Sequence, residues 1–363
     1  MKKLVIIGAN DFQNQLILKA KSLGYETHVF AWEEGAVGKS TADYFYPISI
    51  VEKEEILDKC KQIKPDGVCS IASDLASITV NYVAENLGLP CNKMKYSAIQ
   101  TNKYKMREAF MAAGLPCPKF VLADENFDES QVKDFKFPII VKPTDRSGSR
   151  NIMKLESTDG LLKAIKEACE TSFEKKAIVE EYLEGNEYSM ETISSNGVHH
   201  FLATTKKYTT GAPHFIETAH KQPSDLSPEI EKKAIDVIMK ALDALHIENS
   251  EFKVDSNGNI HIIEIGARMG GDCIGSDLVY LSTGNDFIKM VIDVACANEL
   301  EFAENPTHKE VQIHFMFTQE DLDKLEEIKK SNPECLYRVS DIEYENIGNV
   351  KDSGTRLGYY ITV

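Results

Sequence analysis

The sequence predicts an α/β fold in which a parallel N-terminal domain is followed by a small α+β lobe and a larger α+β lobe. Three observations predict it. Strand and helix patterns alternate over residues 1–92, as in parallel sheets. Residues 116–184 then hold four short apolar runs around one helical pattern. Residues 186–300 hold longer strand patterns and one long amphipathic helix, and we expect residues 301–363 to complete the larger lobe.

Composition excludes several classes of protein. The 363 residues include 57 acidic and 41 basic side chains, a net charge of −16, so we expect no nucleic-acid partner. No apolar run approaches the ~18 residues of a membrane span, and the apolar stretch in MKKLVIIGAND is too short for a signal peptide. The eight cysteines are scattered, which predicts a cytoplasmic protein with reduced thiols. The composition leaves a homodimer open.

In the N-terminal domain, VIIGANDFQNQ follows the first strand as a βα turn. Only Gly8 matches the glycine fingerprint of dinucleotide sites, since Asn10 and Gln13 stand at the other glycine positions. A Rossmann-like domain without a dinucleotide is therefore expected, with a crevice that can hold a small ligand. Ser73 and Asp74 follow a strand and open a helix, so they are either helix-capping residues or substrate contacts. The predicted elements are strands at 4–7, 26–30 and 66–70, and helices at 12–23, 54–63 and 75–87.

The two lobes follow a helical stretch over residues 93–115. In the small lobe we expect strands at 120–122, 139–142, 152–155 and 177–182, with a helix at 160–168. In the larger lobe we expect strands at 187–194, 199–206, 251–255, 260–265 and 311–317, with a helix at 229–246. The predicted domains are 1–92, 93–300 with the small lobe at about 116–184, and 301–363.

Two segments of the small lobe have the chemistry of a nucleotide site. FPIIVKPTDRSGSRNI delivers Lys142 from an apolar strand into a turn of glycine and serine, whose backbone amides suit phosphate oxygens. A surface hairpin is the alternative for this turn. In VEEYLEGNEYSME a strand ends at a glycine turn, and Glu187 follows on the next strand. The strand end could bind a flat base and Glu187 a sugar, or the second strand could simply be half-solvated.

Two glutamates are predicted to face each other across a hairpin. Asn257-Gly258 is typical of a two-residue type I′ turn, which places Glu251 directly opposite Glu264. Like charges so close are destabilising unless a cation neutralises them, and a hard divalent ion is the natural partner. Lys253, on the same strand face, is the alternative counter-ion. Arg268 follows the second strand and suits a phosphate or carboxylate.

In this order, the segments resemble the ATP-grasp superfamily over roughly residues 1–300. The resemblance implies an ATP-grasp fold, and ATP and Mg²⁺, or Mn²⁺ in its place, as cofactors. It implies phosphate contacts for Lys103 and Lys142, and a loop closing over the triphosphate at Ser147, Gly148 and Ser149. The adenine hinge would be Glu180, Glu181, Tyr182 and Leu183, with Glu187 on the ribose, and the metal ligands would be Glu251 and Glu264. Arg268 would lie beside the γ-phosphate, and Arg268 and Lys142 would be the catalytic residues.

One departure from the family pattern narrows the resemblance. Many members carry Glu-x-Asn-Pro-Arg, with the asparagine as a third metal ligand, whereas this chain has Gly266 at that position. It is thereby more similar to the L-amino-acid ligase branch. Glu217 and His220 in PHFIETAHKQPSDL resemble residues of the amino-acid site there, and Ser73, Asp74 and Arg268 are further candidates for substrate contact. A loop histidine is the alternative for His220. Lys206 and Lys207 either reach phosphate or lie on a solvated face.

The resemblance implies a carboxylate–amine ligase that forms an amide or peptide bond through an acyl phosphate, with small carboxylate and amine substrates. Two alternatives stay open: a ligase for a sugar-phosphate amine or carbamoyl-phosphate-type substrate, and a nucleotide-binding regulator without turnover. A nicotinamide oxidoreductase is disfavoured because the glycine fingerprint is missing.

Overall fold

A computed structural model of the chain describes residues 1–148, 150–212, 215–245, 250–266, 268–304 and 309–363. The N-terminal elements alternate as predicted, with one additional short strand. They are β1 (Lys3–Ile7), α1 (Asp11–Ser22), β2 (Glu26–Phe30), β3 (Tyr44–Tyr46), α2 (Lys53–Ile63), β4 (Gly67–Cys69) and α3 (Asp74–Leu87). The strands form a parallel sheet in the order β3-β2-β1-β4. Helices cover both faces, as a parallel sheet requires. Val5 and Ile7 pack towards α2 and α3, while Leu4 and Ile6 pack towards α1 and a later helix at Phe287–Ala295.

The small lobe is a four-stranded antiparallel sheet covered by one helix. Its strands lie in the order 120–123, 177–181, 139–143 and 153–155 across the sheet. Ala164 and Ile165 of the covering helix pack against Val141 and Val179. The elements from residue 97 onwards are α4 (Ser97–Thr101), α5 (Lys103–Ala112), β5 (Phe120–Ala123), β6 (Ile139–Pro143), β7 (Met153–Leu155), α6 (Leu161–Thr171) and β8 (Ala177–Glu181).

The helical stretch expected over 93–115 is confirmed over most of its length, but it is divided into two helices at Asn102. This residue is extended (φ −113°, ψ 112°), and its side chain accepts a hydrogen bond from the Lys105 backbone N–H. Asparagine favours this helix-capping position over a helix interior because its side chain competes for backbone N–H groups. Lys103 therefore becomes the first residue of α5.

The larger lobe is built on an eight-stranded antiparallel sheet. Its elements are β9 (Asn186–Ser195), β10 (Val198–Thr209), β11 (Glu217–Gln222), α7 (Pro228–Leu245), β12 (Ser250–Val254), β13 (Ile260–Ile265), α8 (Val279–Thr283), α9 (Phe287–Ala295), β14 (Val311–Met316), α10 (Gln319–Ser331), β15 (Leu336–Val339) and β16 (Gly358–Thr362). The strand order is β13-β12-β9-β10-β11-β14-β16-β15, so the last sixty residues extend the same sheet. His220 lies in β11, not in a loop.

The strands and helix predicted for the larger lobe are confirmed to within about three residues at each end, except that residue 246 lies outside the described residues. β11, β15, β16, α8, α9 and α10 were not predicted. The domain boundaries at residues 92 and 300 stay predictions. Within the ranges described, no helix combines the length and the apolar character needed to cross a membrane.

Candidate active site

A cleft of about 340 Å³ is lined by both lobes and by the loops after β4 and β13. Most of the predicted site residues meet there, although they come from segments far apart in sequence. The predicted residues that line the cleft are Asp74, Lys103, Lys142, Ser147, Gly148, Glu180, Glu181, Tyr182, Leu183, Glu187, Glu217, His220, Glu251, Glu264 and Arg268.

Two predicted residues are not part of this lining. Ser73 caps α3, since its Oγ accepts a hydrogen bond from the Ala76 backbone N–H, and it is not among the cleft-lining residues in the described part of the chain. Its capping role, and not substrate contact, is the one the structure supports. Ser149 lies outside the described residues.

Glu251 and Glu264 are paired across β12 and β13, which confirms the predicted juxtaposition. The predicted turn is wrong. Val254 pairs with Ile260, one residue out of the expected register, and Gly258 alone has positive φ (73°) among the turn residues. This is the pattern of a three-residue loop. A bulge between Glu251 and Phe252 then shifts the register by one residue. The two one-residue differences cancel, so the glutamates still face each other.

Two lysines neutralise this pair of carboxylates. Lys207 Nζ lies 2.8 Å from Glu251 Oε1, and Lys103 Nζ lies 3.1 Å from Glu264 Oε1. Lys253, the counter-ion considered from the sequence, instead donates to the Leu183 backbone oxygen at 3.1 Å. Burial would raise the pKa of Glu251, but Lys207 holds it below its ordinary value. Glu251 is therefore held as a carboxylate at the cleft.

Lys207 pairs with three carboxylates that line the cleft. Besides Glu251 it lies 3.5 Å from Glu187 and 3.7 Å from Glu217, and its own side chain is buried. Burial would lower its pKa, but the three carboxylates raise it well above the ordinary value, so it stays charged. Lys206 points elsewhere and pairs with Asp225.

Lys142 is held by a buried ion triad. Glu180 accepts from Lys142 Nζ at 2.5 Å and from Arg107 Nε at 2.9 Å, and all three side chains are buried. Burial would raise the pKa of Glu180, but Arg107 and Lys142 lower it to about 2. Glu180 was predicted in the adenine hinge. Its side chain is instead paired with these two cations, and it holds Lys142 in place.

Lys103 and the loop after β6 form one side of the cleft. The Lys103 backbone N–H donates to the Thr144 oxygen at 2.7 Å, and its Nζ donates to the Arg146 oxygen at 2.8 Å. The Arg146 guanidinium lies 4.3 Å from the centre of the Phe173 ring, and its buried Nε has no hydrogen-bond partner among the described residues. Together with Ser147, Gly148 and Arg150, this loop places cations and amides at the cleft.

The predicted hinge residues after Glu180 link β8 to β9 along the cleft. Glu181 accepts from the Lys136 backbone N–H, and the Tyr182 backbone N–H donates to the Pro138 oxygen at 2.9 Å. The Tyr182 ring lies between Lys154 and Lys253, at 4.7 and 4.5 Å. Glu187 follows at the start of β9 and faces Lys207. Tyr182 and Leu183 thus line the cleft a few residues before the Glu187 carboxylate.

Arg268 projects from the loop after β13 and is paired with Asp74. Its Nε lies 2.7 Å from Asp74 Oδ1, which joins the N-terminal domain to the hairpin of β12 and β13. Burial would raise the pKa of Asp74, but Arg268 holds it below its ordinary value. A Cβ added at Gly266 would meet no described atom within 4 Å. The described neighbours therefore leave room for a β-carbon at this position.

The far end of the cleft is completed by residues that the sequence analysis missed. Asp272 Oδ2 lies 3.7 Å from His220 Nε2, and Asp272 Oδ1 lies 2.7 Å from Arg356 Nη2. Ser353 Oγ donates to Glu217 Oε2 at 2.7 Å. Glu217 and His220 are thus brought together, as predicted, and the C-terminal segment fixes both of them.

No local signal could have identified these partners. Arg107, Lys207 and Arg356 become site-adjacent only through pairing of strands and helices distant in sequence. The sequence offered Lys206 and Lys207 as equal candidates for the cleft. The pairing of β10 with β11, which places Lys207 opposite His220, shows that Lys207 is the one that faces it.

Comparison with known proteins identifies the domain around the cleft. Residues 135–277 match the ATP-grasp domain. The chain is 30% identical over 202 residues to D-alanine–D-alanine ligase B of Chromobacterium violaceum, a match covering 53% of this chain and 66% of that protein. It is 28% identical over 297 residues to alanine–anticapsin ligase of Bacillus subtilis, covering 71% of this chain and 62% of that protein. The matches therefore span less than two thirds of those relatives.

Solved structures share the fold along the whole chain. An L-amino acid ligase from Bacillus licheniformis superposes with a TM-score of 0.81 at 21% identity, covering 100% of this chain and 93% of the other. Phosphoribosylglycinamide synthetase from Anaerococcus prevotii gives 0.78 at 21% identity, covering 99% and 93%. At this identity the likeness establishes the architecture, and the chemistry has to be argued from the site.

Proposed function

We propose that this chain, whose residues 135–277 match the ATP-grasp domain, is an ATP-dependent carboxylate–amine ligase acting on an amino acid. The observation that carries the proposal is one cleft in which paired carboxylates, Glu251 and Glu264, lie with Lys103, Lys142 and Arg268. These carboxylates and cations suit a nucleoside triphosphate whose terminal phosphate is transferred to a carboxylate. The relatives named above as ligases support the same reaction class.

The donor set fits magnesium. Mg²⁺ prefers oxygen ligands, keeps several waters and needs only one or two protein carboxylates when nucleotide phosphates supply further oxygens. Glu251 and Glu264 would hold it, or Mn²⁺ in its place. When bound, the ion would neutralise charge on the transferred phosphoryl group. Adenine would lie along Glu181, Tyr182 and Leu183.

The protein residues act by holding charge and excluding water. Lys142, fixed by Glu180, and Lys103, fixed at the start of α5, would hold the phosphates. The substrate carboxylate would attack the γ-phosphate, and ADP would leave as the bond to the bridging oxygen breaks. Arg268 would stabilise the resulting acyl phosphate and the oxyanion formed when the amine attacks. The loop carrying Ser147 and Gly148 would shield the acyl phosphate from hydrolysis.

The far end of the cleft would bind the amino acid. His220, Glu217 and Asp272 supply groups for an ammonium and a carboxylate, and Ser353 and Arg356 hold them in place. We propose in addition that the chain divides at residues 92 and 300, with residues 301–363 supplying this end of the site.

The test is ADP release with Mg-ATP across a panel of amino acids, singly and in pairs, with a sugar-phosphate amine as a further acceptor. Amino-acid-dependent release, with phosphate and an amide product detected by mass spectrometry, is the expected result. Release that depends only on the sugar-phosphate amine would replace the substrate class. No stimulated release by any acceptor would favour a regulator and contradict the ligase proposal.

The lysine clamp on the carboxylates gives a second prediction. Lys207 forms an ion pair with Glu251 and so competes with a cation for that carboxylate. Lys207→Met should therefore raise the Mg²⁺ affinity of the nucleotide-free protein by about tenfold, ~1.4 kcal/mol. The measurement is Mg²⁺ titration by calorimetry, supported by the Mg²⁺-dependent rise of Tm. Lys206→Met is the matched control, since Lys206 pairs with Asp225 and not with Glu251. Equal Mg²⁺ affinities in the two variants would argue against a metal site at Glu251.

A further inference from the structure

Glu191 is a buried carboxylate of the cleft to which no role has been given so far. It follows Glu187 and Ser189 on the same face of β9, and Ser189 pairs with Glu251. Glu191 therefore lies two residues further along β9 than the position opposite Glu251, and roughly 13 Å along the strand from Glu187. It contributes to the cleft lining although its own exposed fraction is 0%. It thus belongs to the substrate side of the cleft.

The surroundings of Glu191 satisfy only half of its carboxylate. Oε2 accepts from the Gly270 backbone N–H at 3.1 Å, while Oε1 has no hydrogen-bond partner within the described part of the chain. A Cβ added at Gly270 would lie 2.8 Å from Oε1 and 2.9 Å from Oε2, so the glycine is what lets the carboxylate sit there. A buried carboxylate oxygen without a partner is costly to folding. A purely structural glutamate would have both oxygens satisfied.

The reaction proposed above requires a group that receives a proton. An amino-acid amine arrives mainly as ammonium and must lose a proton before its nitrogen can attack. Lys103, Lys142 and Arg268 are assigned to phosphate and the acyl phosphate, and Glu251 and Glu264 to the metal. Of the other cleft groups, Glu217 is paired with Lys207 and His220 with Asp272. Glu191 lies beside the Arg268–Gly270 loop, where the acyl group would be held. On the basis of the proposed ligase function, we propose that Glu191 binds the attacking ammonium through its unpartnered oxygen and takes its proton.

The step balances in atoms and charge. The ammonium gives one proton to the Glu191 carboxylate, and the amine nitrogen forms a bond to the acyl carbon. The carbon–oxygen bond to phosphate then breaks, and phosphate leaves with the electron pair and takes the second proton of the nitrogen. The amide keeps the third proton, and Glu191 returns its own to solvent.

The electrostatics of Glu191 suit this role. Burial raises its pKa to about 7, while the Gly270 amide and Arg268 act to lower it, Glu251 to raise it and Lys207 to lower it. A base works best when its pKa lies near the working pH. The kcat/KM for the amine should therefore rise with pH through an acidic limb near 7, because that parameter reports the free enzyme.

The experiment compares two acceptors with Glu191→Gln. Hydroxylamine is largely uncharged at pH 7.5 and needs no base, so it traps the acyl phosphate as a hydroxamate. We expect hydroxamate formation within about twofold of the unsubstituted protein, and amide formation with the amino-acid amine lowered about 10²- to 10⁴-fold. The acidic limb near 7 should disappear, and Glu191→Asp should recover part of the amide rate.

A second variant removes dependence on whether Glu191→Gln folds. Gly270→Ala leaves the carboxylate in place but pushes a methyl group against both oxygens, so the same selective loss of amide over hydroxamate is expected. Gly271→Ala is its control, because its added Cβ meets only the Ala72 Cβ at 3.7 Å, and its ratio of amide to hydroxamate should be unchanged.

Equal losses of both products in Glu191→Gln and Gly270→Ala, or no loss in either, would overturn the role of Glu191. Absence of hydroxamate with the unsubstituted protein, ATP and every amino acid tested would overturn the ligase function itself. The two failures are therefore distinguishable.

Discussion

Glu264→Gln should lower amino-acid-dependent ADP release by about 10³-fold, because a bound metal supplies several kcal/mol of transition-state stabilisation. The amide is a poorer ligand for Mg²⁺ than the carboxylate, and Lys103 loses the partner that lies 3.1 Å away. Both changes weaken the hold on the nucleotide phosphates. The rate is measured at saturating ATP over a Mg²⁺ titration, and circular dichroism checks the fold.

The control for this variant is Glu299→Gln, which makes the same chemical change at an exposed position outside the cleft. It should release ADP at the unsubstituted rate. Rates within about threefold of that value for Glu264→Gln, at every Mg²⁺ concentration, would remove Glu264 from the metal site. A defect rescued by high Mg²⁺ would instead place the effect in metal affinity, as the proposal requires.

The hairpin shows how a correct pairing of two residues can follow from a partly wrong turn. The Asn257-Gly258 pair predicted a two-residue turn, but Asp255 accepts hydrogen bonds from the backbone N–H groups of Asn257 and Asn259 and closes a wider loop. The bulge after Glu251 compensates. Pairing of the glutamates was predictable because burial fixes which strand face points inward, whereas bulges depend on neighbouring strands.

Local sequence marks some residues of the cleft and not others. Lys142, Arg268 and the glycine–serine turn are marked by their own sequence context. The counter-ions Arg107 and Lys207, and the C-terminal Arg356, depend on contacts that only the folded sheets create. Asn102 illustrates the opposite case, since its capping preference is local and divides the helical stretch expected over 93–115 into two helices.

Glu180→Gln should destabilise the protein by about 3–5 kcal/mol at pH 7, since it leaves Arg107 and Lys142 as buried cations without a counter-charge. The measurement is the free energy of unfolding from urea titration. Glu181→Gln, the next residue on β8, is the control and should stay within about 0.5 kcal/mol, because only one backbone hydrogen bond to its side chain changes. A loss below about 1 kcal/mol in Glu180→Gln would show that the triad does not hold Lys142.

The pH dependence of the same variant separates charge from shape. In the folded protein the pKa of Glu180 is lowered from 4.5 to about 2, so its contribution to stability is fully present above about 4.5 and is lost as pH falls towards 2. The unsubstituted protein should therefore lose its advantage over Glu180→Gln across that interval. In Arg107→Met/Glu180→Gln only Lys142 is left, and burial already lowers its pKa, so it can become neutral. The double variant should recover part of the stability lost in Glu180→Gln, which a purely steric role for Glu180 does not predict.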